Sequence, residues 1–216
     1  MLLFLLSAHI FMFLPRNSYD PILKWMARKL LLLMGIRVSV DFKEELNQSG
    51  TYLYIANHVN LFDPLLLYGY IPTFVRGVEL SSHFKWPIYG WTLSRMGHIP
   101  INRVNANSAM KSLRRAAEYL QRGDSIVILP EGHRTSDGKI ANFKRGSFIL
   151  AKNGGRDIVP VAIIGALEIS RRGSWLISPG QIILRFGKPI PERDFRSDGT
   201  YELKERCQNA VKDLMN

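Results

Sequence analysis

The chain has 216 residues, enough for one domain with a buried core, and its 46 % hydrophobic and 22 % charged content is ordinary for a globular protein. The lone cysteine, Cys207, excludes an internal disulfide and a four-cysteine zinc site. Against 18 Asp and Glu stand 29 Lys and Arg, a net charge of +11 that calls for an anionic partner: nucleic acid, an acidic lipid surface, a phosphorylated ligand or an acidic protein.

Met1 to Leu14 is apolar except for Ser7 and His9. As a helix it would span about 21 Å, short of the roughly 30 Å hydrocarbon core of a bilayer. It has neither a basic leading segment nor a small-x-small cleavage site, so it is a poor signal peptide. Pro15-Arg16-Asn17 breaks the run, and Asp20-Pro21 is expected to open a second helix, with Asp20 as N-cap and Gly35 as the stop. Lys24, Arg28 and Lys29 fall on one side of that helix and Trp25, Met26 and Leu30 to Met34 supply apolar surface, the pattern of a helix lying in a membrane interface. Packing of both segments onto the domain as core helices is the alternative. Residues 1–36 are thus expected to form a membrane-interface anchor that does not cross the bilayer, and 37–216 an α/β domain.

From Arg37 onward strands and helices alternate. Arg37 to Phe42 has period two, Tyr52 to Ala56 is a short apolar strand, and a helix follows from Pro64. Strands are expected at Phe74 to Val78 and His98 to Asn102. Asn107 or Ser108 caps a helix whose apolar stripe runs from Ala109 to Leu120 before Gly123 stops it. Ser125 to Leu129 and Ile158 to Ile164 are further strands. Trp175 to Pro189 reads as a hairpin turning at Pro179-Gly180, and the last helix runs from Thr200 to Met215 with Cys207 on its apolar side. This order predicts a mixed, mostly parallel sheet flanked by helices, whose site gathers outside the carboxyl ends of the strands.

Three blocks fall at such ends. In Asn57-His58-Val59-Asn60-Leu61-Phe62-Asp63-Pro64, His58 sits on a strand-to-helix turn and Asp63 at the mouth of the helix. A carboxylate on one ring nitrogen would leave the other free to take a hydroxyl proton near neutral pH. Asp63-Pro64 is equally an N-cap pair. The second block, Ile99-Pro100-Ile101-Asn102-Arg103, delivers an arginine, suited to bidentate phosphate binding, at a strand end. The third, Pro130-Glu131-Gly132-His133-Arg134-Thr135 and on through Asp137-Gly138 to Asn142-Phe143-Lys144-Arg145-Gly146, places an acceptor, a close backbone approach and another guanidinium after a buried strand. Each block taken singly also suits an ordinary surface loop.

Together, and with Val159-Pro160-Val161, the blocks resemble the four ordered motifs of the glycerolipid acyltransferase family typified by 1-acylglycerol-3-phosphate acyltransferase. His133 stands where the family usually has Thr, and Asn60 where Ser is common. A lysine that many members carry has no clear match, with Arg76 the nearest cation. The resemblance implies transfer of an acyl group from acyl-CoA or acyl carrier protein to the hydroxyl of a lysophosphatidate-like acceptor, without a metal or other cofactor. It makes His58 the general base and Asp63 its partner, and it places Asn57, Arg103, Glu131, Gly132 and Arg134 around the acceptor, the arginines on its phosphate. It also implies a monotopic protein on the cytoplasmic face of the cell membrane. Another acceptor lysolipid, or a lipid-binding relative without activity, stays open on this evidence. A metal hydrolase has no compact ligand motif, and no nucleic-acid module accompanies the charge. His83 and His98 read as structural or surface residues.

Overall fold

The computed structural model describes residues 13–170 and 176–216. Most of the apolar run Met1 to Leu14, together with Trp175, lies outside the described residues.

Helix α1 (Arg16–Leu33) opens the described chain. It starts before the expected Asp20-Pro21 cap, because Pro15 O already accepts the amides of Ser18 and Tyr19 at 2.9 and 3.1 Å. Pro21 therefore lies inside the helix. Asp20 turns inward, where it accepts from the Tyr68 hydroxyl at 2.8 Å and pairs with Lys24 at 3.1 Å. Gly35 at φ +78° does end this segment, its left-handed conformation costing glycine nothing.

Seven strands follow, β1 (Ile36–Phe42), β2 (Leu53–Ala56), β3 (Val75–Leu80), β4 (Ile99–Ile101), β5 (Ser125–Ile128), β6 (Ile158–Ile164) and β7 (Gly180–Phe186). The connections carry α2 (Asp63–Tyr70), a 3₁₀ turn at Ser81–Lys85, α3 (Tyr89–Arg95), α4 (Ala106–Gln121), α5 (Gly146–Gly154) and the short α6 (Ala166–Ile169). After β7 come α7 (Glu192–Phe195) and α8 (Thr200–Asp213). Asn105, two residues before the nearer expected cap, caps α4 by accepting the Ser108 amide at 2.9 Å.

The strand order is β1-β7-β6-β2-β5-β3-β4. Strands β6, β2, β5, β3 and β4 run parallel, β7 runs against β6, and β1 is parallel to β7. This is the expected mixed, mostly parallel sheet. The expected hairpin is absent: Gly180 opens β7 rather than turning a chain, and residues 176–179 form no strand. The alternating Gln181 to Phe186 segment finds two long partners instead, β1 on one side and β6 on the other. Close approach makes this possible, since a Cβ on Gly35 would stand 2.9 Å from Pro179. Pro160 fits in β6 because its pairing with β7 begins only at Val161, so no ladder bond needs its missing N–H.

Alternate residues of each strand serve opposite cores. Tyr54 and Ala56 of β2 pack with Leu23, Ala27 and Leu31 of α1 and Leu66 and Leu67 of α2. Leu53 and Ile55 pack with Leu113, Ala116 and Leu120 of α4, Phe148 of α5, and Leu203, Cys207 and Val211 of α8. Helix α1 thus shares a core with the sheet. Of the cations expected on its lipid side, Lys24 is buried, donating to Ile71 O at 2.9 Å and Thr73 O at 2.8 Å, and Arg28 donates to Gly69 O at 2.6 Å. Lys29 stays exposed beside Trp25, Leu32 and Leu33. Among the described residues, no helix is long and apolar enough to cross a membrane.

Candidate active site

Strand β2 is fourth of seven, and its carboxyl end delivers Asn57 and His58 to the middle of one sheet edge. Asp63 is the first residue of α2, five positions later. Its carboxylate turns back on the loop: Oδ2 accepts from Val59 N at 2.6 Å, Asn60 N at 3.0 Å and His58 Nδ1 at 2.7 Å. Capping therefore does not explain Asp63, which bonds the loop before the helix rather than the helix's own first amides. The imidazole keeps 16 % of its side-chain surface exposed while Asp63 keeps none. With Nδ1–H donated to the carboxylate, Nε2 is left as the nitrogen able to take a proton.

The peptide of His58 is held as firmly as its ring. Glu131, after β5 and 1 % exposed, accepts the His58 amide on Oε1 at 2.6 Å and the Ala141 amide on Oε2 at 2.7 Å. Burial pushes the Glu131 carboxyl above its ordinary range, against the pull of those two amides. The Thr135 amide donates to His58 O at 2.9 Å. One residue earlier, Asn57 spends both ends of its amide on Ile163 of β6, donating at 3.0 Å and accepting at 2.7 Å. Asn57 and Glu131 were expected beside the acceptor. The structure instead engages their polar atoms with main chain inside the fold, where they fix the loop that carries His58.

Asn60, in the place where serine is common, bridges to Ala166 O at 3.0 Å and accepts Phe62 N at 2.9 Å. The roles of Asn60 and Thr135 were not foreseen: the Asn60 bond to Phe62 N is a local turn, but the bonds from Asn60 to Ala166 O and from Thr135 N to His58 O join segments remote in the chain.

Arg103, just past β4, donates to Gly132 O across the edge. Gly132 has φ +74°, and a Cβ there would come within 2.9 Å of Lys144 Cε, so that lysine lies against the same loop. Lys144 was noted only as part of the third block; its neighbourhood with Gly132 makes it a second cation at this point. Arg134 follows on the same loop, half-buried. His133 is exposed. Arg76 is remote from this edge: it is the second residue of β3, at the opposite end, bonded to Asp124 at 2.9 Å and to Met96 O at 2.8 Å. His83 bonds Glu79 at 2.7 Å, and His98 accepts the Gly77 amide at 2.7 Å. Among the described residues, no three His, Cys, Asp or Glu side chains converge as a metal site would need.

A chloroplastic 1-acyl-sn-glycerol-3-phosphate acyltransferase of Arabidopsis thaliana is 31 % identical over 156 residues, covering 71 % of this chain and 44 % of the relative. A 1-acyl-sn-glycerol-3-phosphate acyltransferase of Chlamydomonas reinhardtii is 33 % identical over 140 residues, 64 % of this chain and 42 % of its own. The chain thus spans less than half the length of these relatives, though it covers 72 % of a Pseudomonas aeruginosa relative of the same name at 26 % identity. The crystal structure of the 1-acyl-sn-glycerophosphate acyltransferase PlsC from Thermotoga maritima superposes with a TM-score of 0.81 over 96 % of this chain and 86 % of that one, at 23 % identity, which establishes the shared fold. The model of the acyltransferase family matches residues 37–164, more than half the chain and from the second residue of β1 to the end of β6, and the chain belongs to that family.

Proposed function

We propose that the protein moves a fatty acyl group from an acyl thioester, acyl-CoA or acyl carrier protein, to the free hydroxyl of lysophosphatidate, forming phosphatidate. The observation that carries this reading is the 2.7 Å bond between Nδ1 of a partly exposed His58 and a fully buried Asp63, which leaves Nε2 as the nitrogen for the acceptor. His58 Nε2 takes the acceptor's hydroxyl proton as its oxygen attacks the thioester carbonyl. The tetrahedral intermediate collapses, the C–S bond breaks, and the departing sulfur takes the proton back from the imidazolium. Asp63 holds the tautomer and offsets the transient positive charge, help worth roughly 10²- to 10⁴-fold in rate. No acyl-enzyme intermediate is formed.

Arg103 and Arg134 bind the acceptor phosphate, with Lys144 beside Gly132 adding positive charge. The protein works at a membrane surface, held there without crossing, where both its substrate and product reside. Mass spectrometry of mixtures containing purified protein, lysophosphatidate and acyl-CoA or acyl carrier protein tests the assignment. Phosphatidate and free thiol should appear in equal amounts. Thioester consumed without acylated lipid, or no product from either donor, would sink it.

A further inference from the structure

Helix α4 buries Leu113, Ala116, Ala117 and Leu120, which leaves Lys111, Arg114, Arg115, Glu118 and Gln121 to solvent, with Arg122 directly beyond its end. Four cations thus share this ridge with one acid. A solvent face in this chain need not be so charged: on α8, Arg206 and Lys212 are balanced by Glu202 and Asp213. Lys111 stands three and four positions before Arg114 and Arg115, the spacings at which like charges destabilise a helix. Arg115 leans on the Tyr119 hydroxyl at 3.4 Å, whereas Lys111 and Arg114 have no ion pair among the described residues. The ridge leads to the candidate site. Helix α4 opens three residues past Arg103, and at the start of α5 a Cβ on Gly146 would come within 2.9 Å of Leu113. Exposed Lys144 and Arg145 therefore continue the basic surface from the ridge toward the Gly132 loop.

We infer that this ridge is the docking face for an acidic acyl carrier protein, which brings the thioester to His58. The inference rests on the acyl-transfer reading and names its donor. From Asn105 to Arg122 no large apolar side chain is exposed, so the ridge has nothing to insert into a bilayer interface. What complements it is a folded acidic surface. At about 24 Å the ridge is long enough to seat one helix of a partner, whose flexible prosthetic arm carries the thioester past Arg103. The acyl carbon leaves the carrier's sulfur for the acceptor's oxygen, the hydroxyl proton passes to that sulfur through His58, and the carrier departs as free thiol. Docking through exposed charges is fast and salt-sensitive, which suits a donor that must leave at every turnover.

The test compares saturation curves for an acyl carrier protein thioester and for acyl-CoA, each with lysophosphatidate, between the full chain and its Lys111→Glu and Arg114→Glu variants. Reversing one cation turns an attraction into a repulsion, so the KM for the carrier thioester should rise about tenfold in each. The KM for acyl-CoA and both kcat values should stay at wild type. Lys111→Gln and Arg114→Gln should raise the carrier KM about threefold, and they decide the matter should a Glu variant misfold. Added salt should lift the wild-type carrier KM toward that of the variants. A carrier KM unchanged in all four would overturn the proposal, as would an equal rise for acyl-CoA, or acyl-CoA serving as the sole donor. Weaker binding of the variants to phosphatidylglycerol vesicles, with the carrier KM unmoved, would give the ridge to lipid and overturn it too. Fluorescence anisotropy of labelled carrier protein reads docking without turnover. Carrier binding that the variants lose, in a protein that acylates no lipid, would leave docking intact and remove the acyl-transfer reading instead.

Discussion

Asp63 crowds three donors onto Oδ2, while its Oδ1 is buried and meets no donor among the described residues. An asparagine can keep its oxygen where Oδ2 stands and put its amide nitrogen at Oδ1, so Asp63→Asn removes the charge with little change of shape. Turnover should fall by roughly 10²- to 10⁴-fold while stability falls by only about 1 to 3 kcal/mol, the cost of neutralising the bonds and burying an unpaired amide. Rates measured beside urea unfolding separate the two effects; wild-type turnover would reduce Asp63 to a loop fastener. Arg103 is the second decisive residue. Lysine lacks the planar fork that can hold Gly132 O and a phosphate together, so Arg103→Lys should raise the acceptor KM about ten- to a hundredfold and leave the thioester KM nearly unchanged. Paired saturation curves read this directly, and the reverse pattern would move Arg103 to the donor.

Among the elements, α1 and α2 form one mechanical unit. Lys24 and Arg28 donate to carbonyls at and just beyond the last turn of α2, where the helix leaves them without partners, and Asp63 stands at the other end of that same helix. Cations that look in sequence like the lipid-facing side of an amphipathic helix are therefore committed to protein. Lys24→Met strips three carbonyls of a donor and leaves Asp20 buried with only the Tyr68 hydroxyl, so it should cost about 3 to 5 kcal/mol in urea unfolding. Adding Asp20→Asn should recover part of that loss; a single variant within about 1 kcal/mol of wild type would contradict the picture.

The seam between β3 and β4 carries a titrating contact. Gly77 has no Cβ, which leaves room for His98 Nδ1 to accept its amide. Burial, with the Arg76 charge nearby, pushes this imidazole from 6.5 down to about 4. The unfolded chain binds that proton first, so the stability due to neutral His98 is present above about pH 6.5 and drains away as pH falls toward 4. The full loss is about 3 kcal/mol. His98→Gln, which cannot titrate, should show a shallower fall in melting temperature between pH 7 and 4.5; equal slopes would remove His98 from the acid response.

Across the whole molecule, what could be read in advance was whatever is local in the chain. Strands β2, β5 and β6 show as short apolar runs, and His58, Asp63 and Arg103 sit at strand-to-helix turns where the loop brackets them. Sheet order was not legible, because β1 and β7 find their places through long-range pairing that no local pattern encodes. The same holds for the clamps. Asn57 meets Ile163 across 106 positions, and Glu131 meets His58 across 73, so no local pattern announces these bonds. Lys24 misled for the same reason.

The assembled edge makes one claim above the others, that His58 is the base for acyl transfer. Thiol release from acyl-CoA or acyl carrier protein in the presence of lysophosphatidate, compared between wild type and His58→Ala, tests it most directly. The ring is 16 % exposed and Asp63 loses one of its three donors when it is removed, so the variant should lose about 1 to 3 kcal/mol in urea unfolding yet stay folded. Its acceptor-dependent thiol release should drop by at least about 10²-fold, with saturation by both substrates little changed. Release at the wild-type rate from a folded His58→Ala protein would contradict the account.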